Sequence, residues 1–372
     1  MFVEITNTPR DYAWGSRTAI SELLGTPASG APEAELWLGA HPGSPARLVG
    51  EERTLLDVAG DRLPFLLKVL AAAAPLSLQA HPTMAQAAEG FARENAAGVP
   101  LDAPHRNYKD AFHKPELIYA LSDPFRALSG FRPVAETRAV LAPVEDDPRM
   151  RPLADRLTGD DALRDVFAWL LAGGSDVDDL VAAVVEASAT ADGPSWETVR
   201  TLAEHFPGDP GIAISLLLHT VELAPGEALY LPAGNIHAYL EGLGIELMAS
   251  SDNVLRGGLT PKHVDVPELL EVLDFTPGPA PYLAPEEVEP GVRAFRPGVP
   301  DFQLMVVESD ALSRGLRIPL DGPAIALCTE GEVAIDNGPM LTRGTAVFAG
   351  GEPSLALRGS GRVFVASVAP AA

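Results

Sequence analysis

Lysine is nearly missing from this chain: four stand among 372 residues, against twenty-three arginines. Cysteine is scarcer still. Cys328 is alone, so no disulfide can form within the chain and a reducing compartment is expected. Long apolar runs are absent too: the stretches around Leu63–Val69 and Ala213–Leu218 fall well short of the roughly 20 residues that span a bilayer, so no transmembrane helix is expected. The opening MFVEITNTPRDYAW carries acidic and polar residues where a secretory leader needs an unbroken apolar stretch. The expected location is cytoplasmic. Positive charge is also in deficit, with a net charge of −24, which argues against nucleic acid and anionic membranes as partners. A small anion remains compatible, because a pocket needs only two or three convergent cations.

What is present points to a folded chain of two or three domains, with 47% hydrophobic residues for their cores. The skew toward arginine fits a coding bias, so a lysine that persists is there for its compact, movable ammonium. Residues 1–130 read mostly as short strands with turns, among them LPFLLKVL and PLSLQAH, with a helical patch at AQAAEGFAREN. The character changes after Pro133. In DDALRDVFAWLLAG, Leu163, Val166, Phe167 and Leu170 recur at helical spacing behind an Asp160/Asp161 cap signal, and VDDLVAAVVEASA reads the same way. About seventy residues, 131–206, are therefore expected as a helical insertion. Strand character returns at ISLLLHTVEL, VPELLEVL is expected as a helix, and EEVEPGVRAF onward is again β with Gly/Pro turns. A faint repeat links GEALYLPAGNIHAYL to GTAVFAGGEPSLAL: Gly226 on Gly344 sets Leu355 opposite His237, as in two related barrels of which one kept a metal site.

The chemistry concentrates in residues 225–262. His237 ends a P-x-G-x-x-H turn between apolar strands, and Glu246, Arg256 and Lys262 follow. In SLQAHP, Gln79 and His81 stand two apart on an expected strand and so share a face. In HKPELIYAL, Glu116 begins an apolar run. Alone, each is an ordinary residue; together they offer a mixed nitrogen and oxygen site that suits zinc as a Lewis acid and leaves room for substrate. A metal beside fixed cations suits chemistry on a small anion. His41, Trp14, Trp37, Cys328 and His263 read as structural or surface residues, and His113 as turned away from Glu116.

The segments DYAWGS, AELWLGAHPGSPA, LPFLLKVL, PLSLQAHP, YKDAFHKPE, LPAGNIHAYL and MASSDNVLRGGLTPKHVDV occur in an order that resembles the type I mannose-6-phosphate isomerases over essentially the whole chain. The resemblance implies a mainly β protein of two cupin-like jelly-roll barrels. Residues 1–130 with 207–265 would form the catalytic jelly roll, 131–206 the inserted helical domain and 266–372 a second jelly roll. It implies one Zn2+ per chain on Gln79, His81, Glu116 and His237. Arg256 matches the family's catalytic arginine, and Lys114 and Lys262 its active-site lysines. Ser77, Tyr239, Glu246 and Asp252 fall at positions placed around the substrate. Two departures stand out: Thr83–Met84 replace a basic residue often found after QAHP, and Phe112 stands where Asn is usual before HKPE.

The expected reaction interconverts mannose 6-phosphate and fructose 6-phosphate through an enediolate. Glu246 is the first candidate for the base, since a carboxylate crowded into a barrel has a raised pKa. It could equally hold a sugar hydroxyl, and a metal-bound water, a lysine or a histidine stays open as the base. Lys262 with Ser77 is expected at the phosphate. The expected partner is a small phosphorylated sugar, and a monomer is favoured over an oligomer. A cupin oxygenase and a non-enzymatic sugar-binding bicupin are the rival readings.

Overall fold

The computed structural model describes residues 1–59 and 63–370. Among them are two antiparallel sheets, of nine and ten strands, and ten α-helices. The strand Phe65–Ala72 shows how the nine-stranded sheet is built, because all eight of its residues are buried. Successive side chains point to opposite faces. Phe65, Leu67, Val69 and Ala71 face one core with Leu36, Leu38, Ile245, Leu247 and Ala249 of the flanking strands. The alternate positions face the other way: Leu66 and Lys68 line a cleft, while Leu70 and Ala72 join a separate apolar cluster.

The first of those faces is covered by the ten-stranded sheet. Phe295, Leu304, Val306, Phe348 and Phe364 pack into the same core, and Tyr119 stands edge-on to Phe295 at 5.4 Å and to Phe364 at 5.2 Å. Each such side chain stabilises the join by roughly 1.5–3 kcal/mol. The chain's first strand belongs to this second sheet. Phe2–Thr6 lies between Ala346–Ala349 and Arg47–Leu48, so both ends of the sequence share one sheet.

The strand His237–Ala249 ties the site together. Its first residues pair with Gln79 and with Phe125–Phe131; from Gly242 onward it pairs with Phe65–Ala72 and Glu116–Ala120. The change of partners follows a bulge between Tyr239 and Glu241. Gly242 completes it at φ 132°, where an added Cβ would lie 2.7 Å from Phe125 and 2.8 Å from Ser122 Oγ. The repeat seen in the sequence has a counterpart here. Gly226 and Gly344, both at positive φ, precede Ala228–Leu231 and Ala346–Ala349, and the long strands His237–Ala249 and Ser354–Ser367 follow.

Helices occupy the expected middle of the chain. Ala162–Ala172 buries Leu163, Val166, Phe167 and Leu170, and with Ser175–Ser188 and Pro194–His205 it packs against Leu78, Ala80, Ile236, Ala238 and Leu255. Three local expectations need correction. Asp161 precedes its helix but makes no side-chain capping bond. Of PLSLQAH only Gln79–Ala80 is a strand. In ISLLLHTVEL the first residues are helical, within Gly211–Ile214 and the 3-10 turn Ser215–Leu217, and the strand begins at Leu218. In both segments apolar content reads as strand, but burial against helices on one side satisfies it equally well. Thr83 has a job of its own: with Gln86 it forms a capping box on Met84–Ala96.

Candidate metal centre and cleft

His81 lies just past Gln79–Ala80, Glu116 opens the strand Glu116–Ala120, and His237 opens His237–Ala249. Their ligand atoms all lie within 4.8 Å of one another, and all three residues are buried. The register explains the meeting. Gln79 sits opposite His237 on one side and Arg256 on the other, while Glu116 faces Met248 further along the same long strand.

The two imidazoles are oriented by main-chain carbonyls. His81 Nδ1 lies 2.7 Å from the Asn253 oxygen, and His237 Nδ1 lies 3.1 Å from the Asn235 oxygen. A carbonyl only accepts, so Nδ1 carries the proton in each ring and Nε2 keeps its lone pair. Both Nε2 atoms turn to Glu116, each 3.3 Å from one of its carboxylate oxygens. Neither Nε2, nor Glu116 Oε2, has a hydrogen-bond partner, though all are buried. Lone pairs aimed at a carboxylate repel unless a cation lies among them, and this donor set suits a divalent ion of zinc's type. Burial pushes the His81 pKa down to about 4, which keeps the ring neutral and ligand-ready. Burial alone would raise Glu116; the Lys114 ammonium, 2.8 Å from Oε1, outweighs it and holds the carboxyl well below its usual range.

Beside these residues opens a cleft of about 750 Å³. All four lysines of the chain, Lys68, Lys109, Lys114 and Lys262, line it, together with Arg256. Lys68 and Lys114 are paired with carboxylates, and Lys109 Nζ donates to the Leu101 carbonyl at 2.7 Å. Arg256 and Lys262 differ: among the described residues neither side chain meets a carboxylate. The Lys262 pKa is lowered first by the charge of Arg256 and then by burial, and that of Arg256 by burial. In a chain of net charge −24, two adjacent uncompensated cations mark a place for an anion.

Of the other expected site residues, Ser77, Gln79 and Asp252 line the cleft. Glu246 and Tyr239 lie behind its wall. Glu246 is buried and joins Lys68 at 2.8 Å, so Lys68 stands between it and the opening. Its pKa is raised by burial, with Glu116 and Glu35 adding to the effect and Lys68 opposing it. For Lys68, burial is overridden by Glu246 and Glu35, and the ammonium is held in its charged form. Tyr239 packs edge-on against Phe125 at 5.4 Å, and burial lifts its phenol well above the usual range. Glu246 shares its sheet face with its cross-strand partner Lys68 and with Met248, both of which reach the cleft, so depth beneath Lys68 rather than strand parity keeps it from the opening.

Three residues read as structural turn out to line the cleft: Trp14, Trp37 and His41. Trp37 carries Lys68 over its ring at 5.2 Å and donates to Glu35 at 2.6 Å, and His41 bonds Asp252. Lys68, Glu35 and Lys109 were missed in the sequence. A lysine inside the apolar run LPFLLKVL was a usable signal, given how few lysines there are; nothing local marked Glu35. His113 is turned from Glu116 as expected and meets Asp301 at 2.8 Å. Cys328 is buried with its thiol pushed up to about 11, and His263 is exposed.

An antiparallel β scaffold with a buried His/Glu/His metal-binding cluster beside a cation-lined cleft is the class that fold and site define. The family described as Phosphomannose isomerase type I, catalytic domain, matches residues 2–134. The mannose-6-phosphate isomerase of Escherichia coli (strain K12) is 40% identical over 391 residues, covering 97% of this chain and 98% of the relative. The Homo sapiens mannose-6-phosphate isomerase is 32% identical, with 94% and 93% covered. Among solved structures, a mannose 6-phosphate isomerase with zinc bound superimposes with a TM-score of 0.91 at 39% identity, over 99% of this chain and 100% of that one. The chain belongs to the type I mannose-6-phosphate isomerase family and is an isomerase.

Proposed function

We propose that the protein interconverts mannose 6-phosphate and fructose 6-phosphate through an enediolate, with one Zn2+ per chain held by Gln79, His81, Glu116 and His237. The observation that carries this reading is the pairing of two sites on one cleft. Lone-pair nitrogens face a buried carboxylate just behind the cleft, next to its lining residues Gln79 and Lys114, and the uncompensated Arg256 and Lys262 line its wall. When bound there, zinc supplies Lewis acidity to oxygens on which negative charge builds. Lys262 and Ser77 take the phosphate, and Asp252 accepts a sugar hydroxyl. Arg256, in register with Gln79, adds a fixed positive charge beside the enediolate.

The reaction removes a proton from C2, returns one at C1 and passes a hydroxyl proton from O2 to O1. We place proton movement at the Lys68–Glu246 pair: Glu246 is the base of the pair, taking a proton from Lys68 Nζ as the lone pair so freed takes the C2 proton, and the reverse transfer returns a proton at C1. Lys114 keeps Glu116 ionised as a ligand. The same reading takes the two sheets as cupin-like jelly rolls, with residues 131–206 as the helical insertion, 1–130 plus 207–265 as the catalytic part and 266–372 as the second roll. In it the first strand crosses into the second roll's sheet. A cytoplasmic monomer completes it.

The test is a coupled assay. Mannose 6-phosphate is supplied and fructose 6-phosphate followed, before chelation, after it and after zinc is returned. Turnover lost on chelation and regained with zinc supports the reading. Oxygen consumption, or sugar binding without turnover, would replace it with an oxygenase or a binding protein.

A further inference from the structure

Asp252 is held from two sides. Its backbone N–H donates to Asp110 Oδ2 at 2.9 Å, and its carboxylate Oδ1 lies 3.0 Å from His41 Nε2. The position of the proton on His41 is decided by a third group. The Gly43 N–H donates to His41 Nδ1 at 3.0 Å, and a ring nitrogen that accepts carries no proton. His41 is therefore neutral with its hydrogen on Nε2, and it donates to Asp252. The ring is fixed as well. It is buried and stands edge-on to Trp37 at 4.9 Å and 83°. Asp252 has the opposite exposure: 53% of its side chain is open, it lines the cleft, and its second oxygen makes no hydrogen bond among the described residues.

A carboxylate with two free oxygens can turn and serve hydroxyls in several directions. One whose Oδ1 is tied to a rigid donor offers a single acceptor in a single orientation. We propose that His41 is a positioning residue for the isomerisation: it fixes Asp252 so that the free oxygen recognises one sugar hydroxyl, and it thereby sets which sugar phosphate the cleft holds well. The proposal rests on the sugar phosphate reading above. The segment involved also touches the metal centre, since the Asn253 carbonyl beside Asp252 orients His81. Metal content is for that reason part of the test.

His41→Phe keeps a ring edge against Trp37 and removes the donor; His41→Gln keeps an amide donor. The expected result for His41→Phe is a KM for mannose 6-phosphate raised about tenfold, with kcat changed far less and with zinc content and melting temperature kept. His41→Gln recovers most of the affinity. Asp252→Asn has an effect similar to His41→Phe, and the double variant adds nothing further. Additive effects, an unchanged KM in His41→Phe, or His41→Gln as poor as His41→Phe would each overturn the proposal. Should His41→Phe fail to fold, the comparison of His41→Gln with Asp252→Asn carries the same decision. A second readout needs no turnover. Long-range proton–nitrogen spectra should show the Nε2–H tautomer of His41 in the native protein, kept in Asp252→Asn because the Gly43 N–H still donates to Nδ1. An Nδ1–H tautomer sinks the positioning role even in an active isomerase. The expected tautomer in a protein that does not turn over mannose 6-phosphate sinks the substrate reading instead.

Discussion

At the scale of single residues, the site is an arrangement of charges that compensate one another except where a ligand belongs. Glu246→Gln removes the negative half of the Lys68 pair, so exchange of the C2 proton with solvent should vanish while zinc stays bound. Near-normal turnover would dismiss the pair from proton transfer. Arg256→Ala should depress the chemical step more than metal occupancy, which a metal assay beside single-turnover kinetics would show. Lys262→Ala should raise KM by roughly 10- to 100-fold, because a charge-assisted hydrogen bond contributes about 1.5–3 kcal/mol. His81 adds a pH dependence to the metal-free protein. It binds a proton less readily when folded, near 4, than when unfolded, near its ordinary 6.5. Its contribution is complete above the higher value and is lost as pH falls toward the lower one, by about 1 kcal/mol per pH unit. Urea midpoints of the chelated protein at pH 7 and pH 5 would reveal it.

At the scale of elements, one strand sets the distances between these groups. His237–Ala249 carries a metal-binding histidine at its start and Glu246 near its end, and it changes partners at Gly242. A side chain there would have to displace Phe125 or Ser122. Gly242→Ala should therefore cost about 1–3 kcal/mol, read as a lower denaturation midpoint, and should weaken zinc binding by shifting His237 against Glu116. A midpoint equal to the native protein's would show that the close approach relaxes freely. Helix periodicity was plain in the sequence at Leu163, Val166, Phe167 and Leu170, where one face is apolar and the other polar. It was not plain at Ile214–Leu218, because a segment buried on every side shows no period.

At the scale of the whole molecule, the two sheets share a core and cannot be separated cleanly. Phe2–Thr6 pairs with Ala346–Ala349, and Phe65, Leu67 and Val69 are covered by the far sheet's aromatics. A protein truncated after residue 265 should aggregate on expression, since it strips the first strand of its Ala346–Ala349 partner and leaves a large apolar face open. Recovery of a soluble, zinc-binding fragment would show that the first sheet folds alone. The acidic surface has a consequence for rate: local cations must draw a dianion through a repelling global field, so kcat/KM should rise with moderate salt.

The linear chain was enough to determine its class, its metal-binding groups and three of its cleft cations, Lys114, Arg256 and Lys262, because those depend on residue type and local spacing: P-x-G-x-x-H at His237, QAHP at His81, HKPE at Glu116. Only the tertiary structure decided that Lys68 stands in front of Glu246, that Tyr239 lies behind the wall, and that His41 reaches Asp252. Each of those facts joins segments far apart in the chain through strand register and side-chain parity, and a shift of one residue in either would send the same side chains to the opposite face.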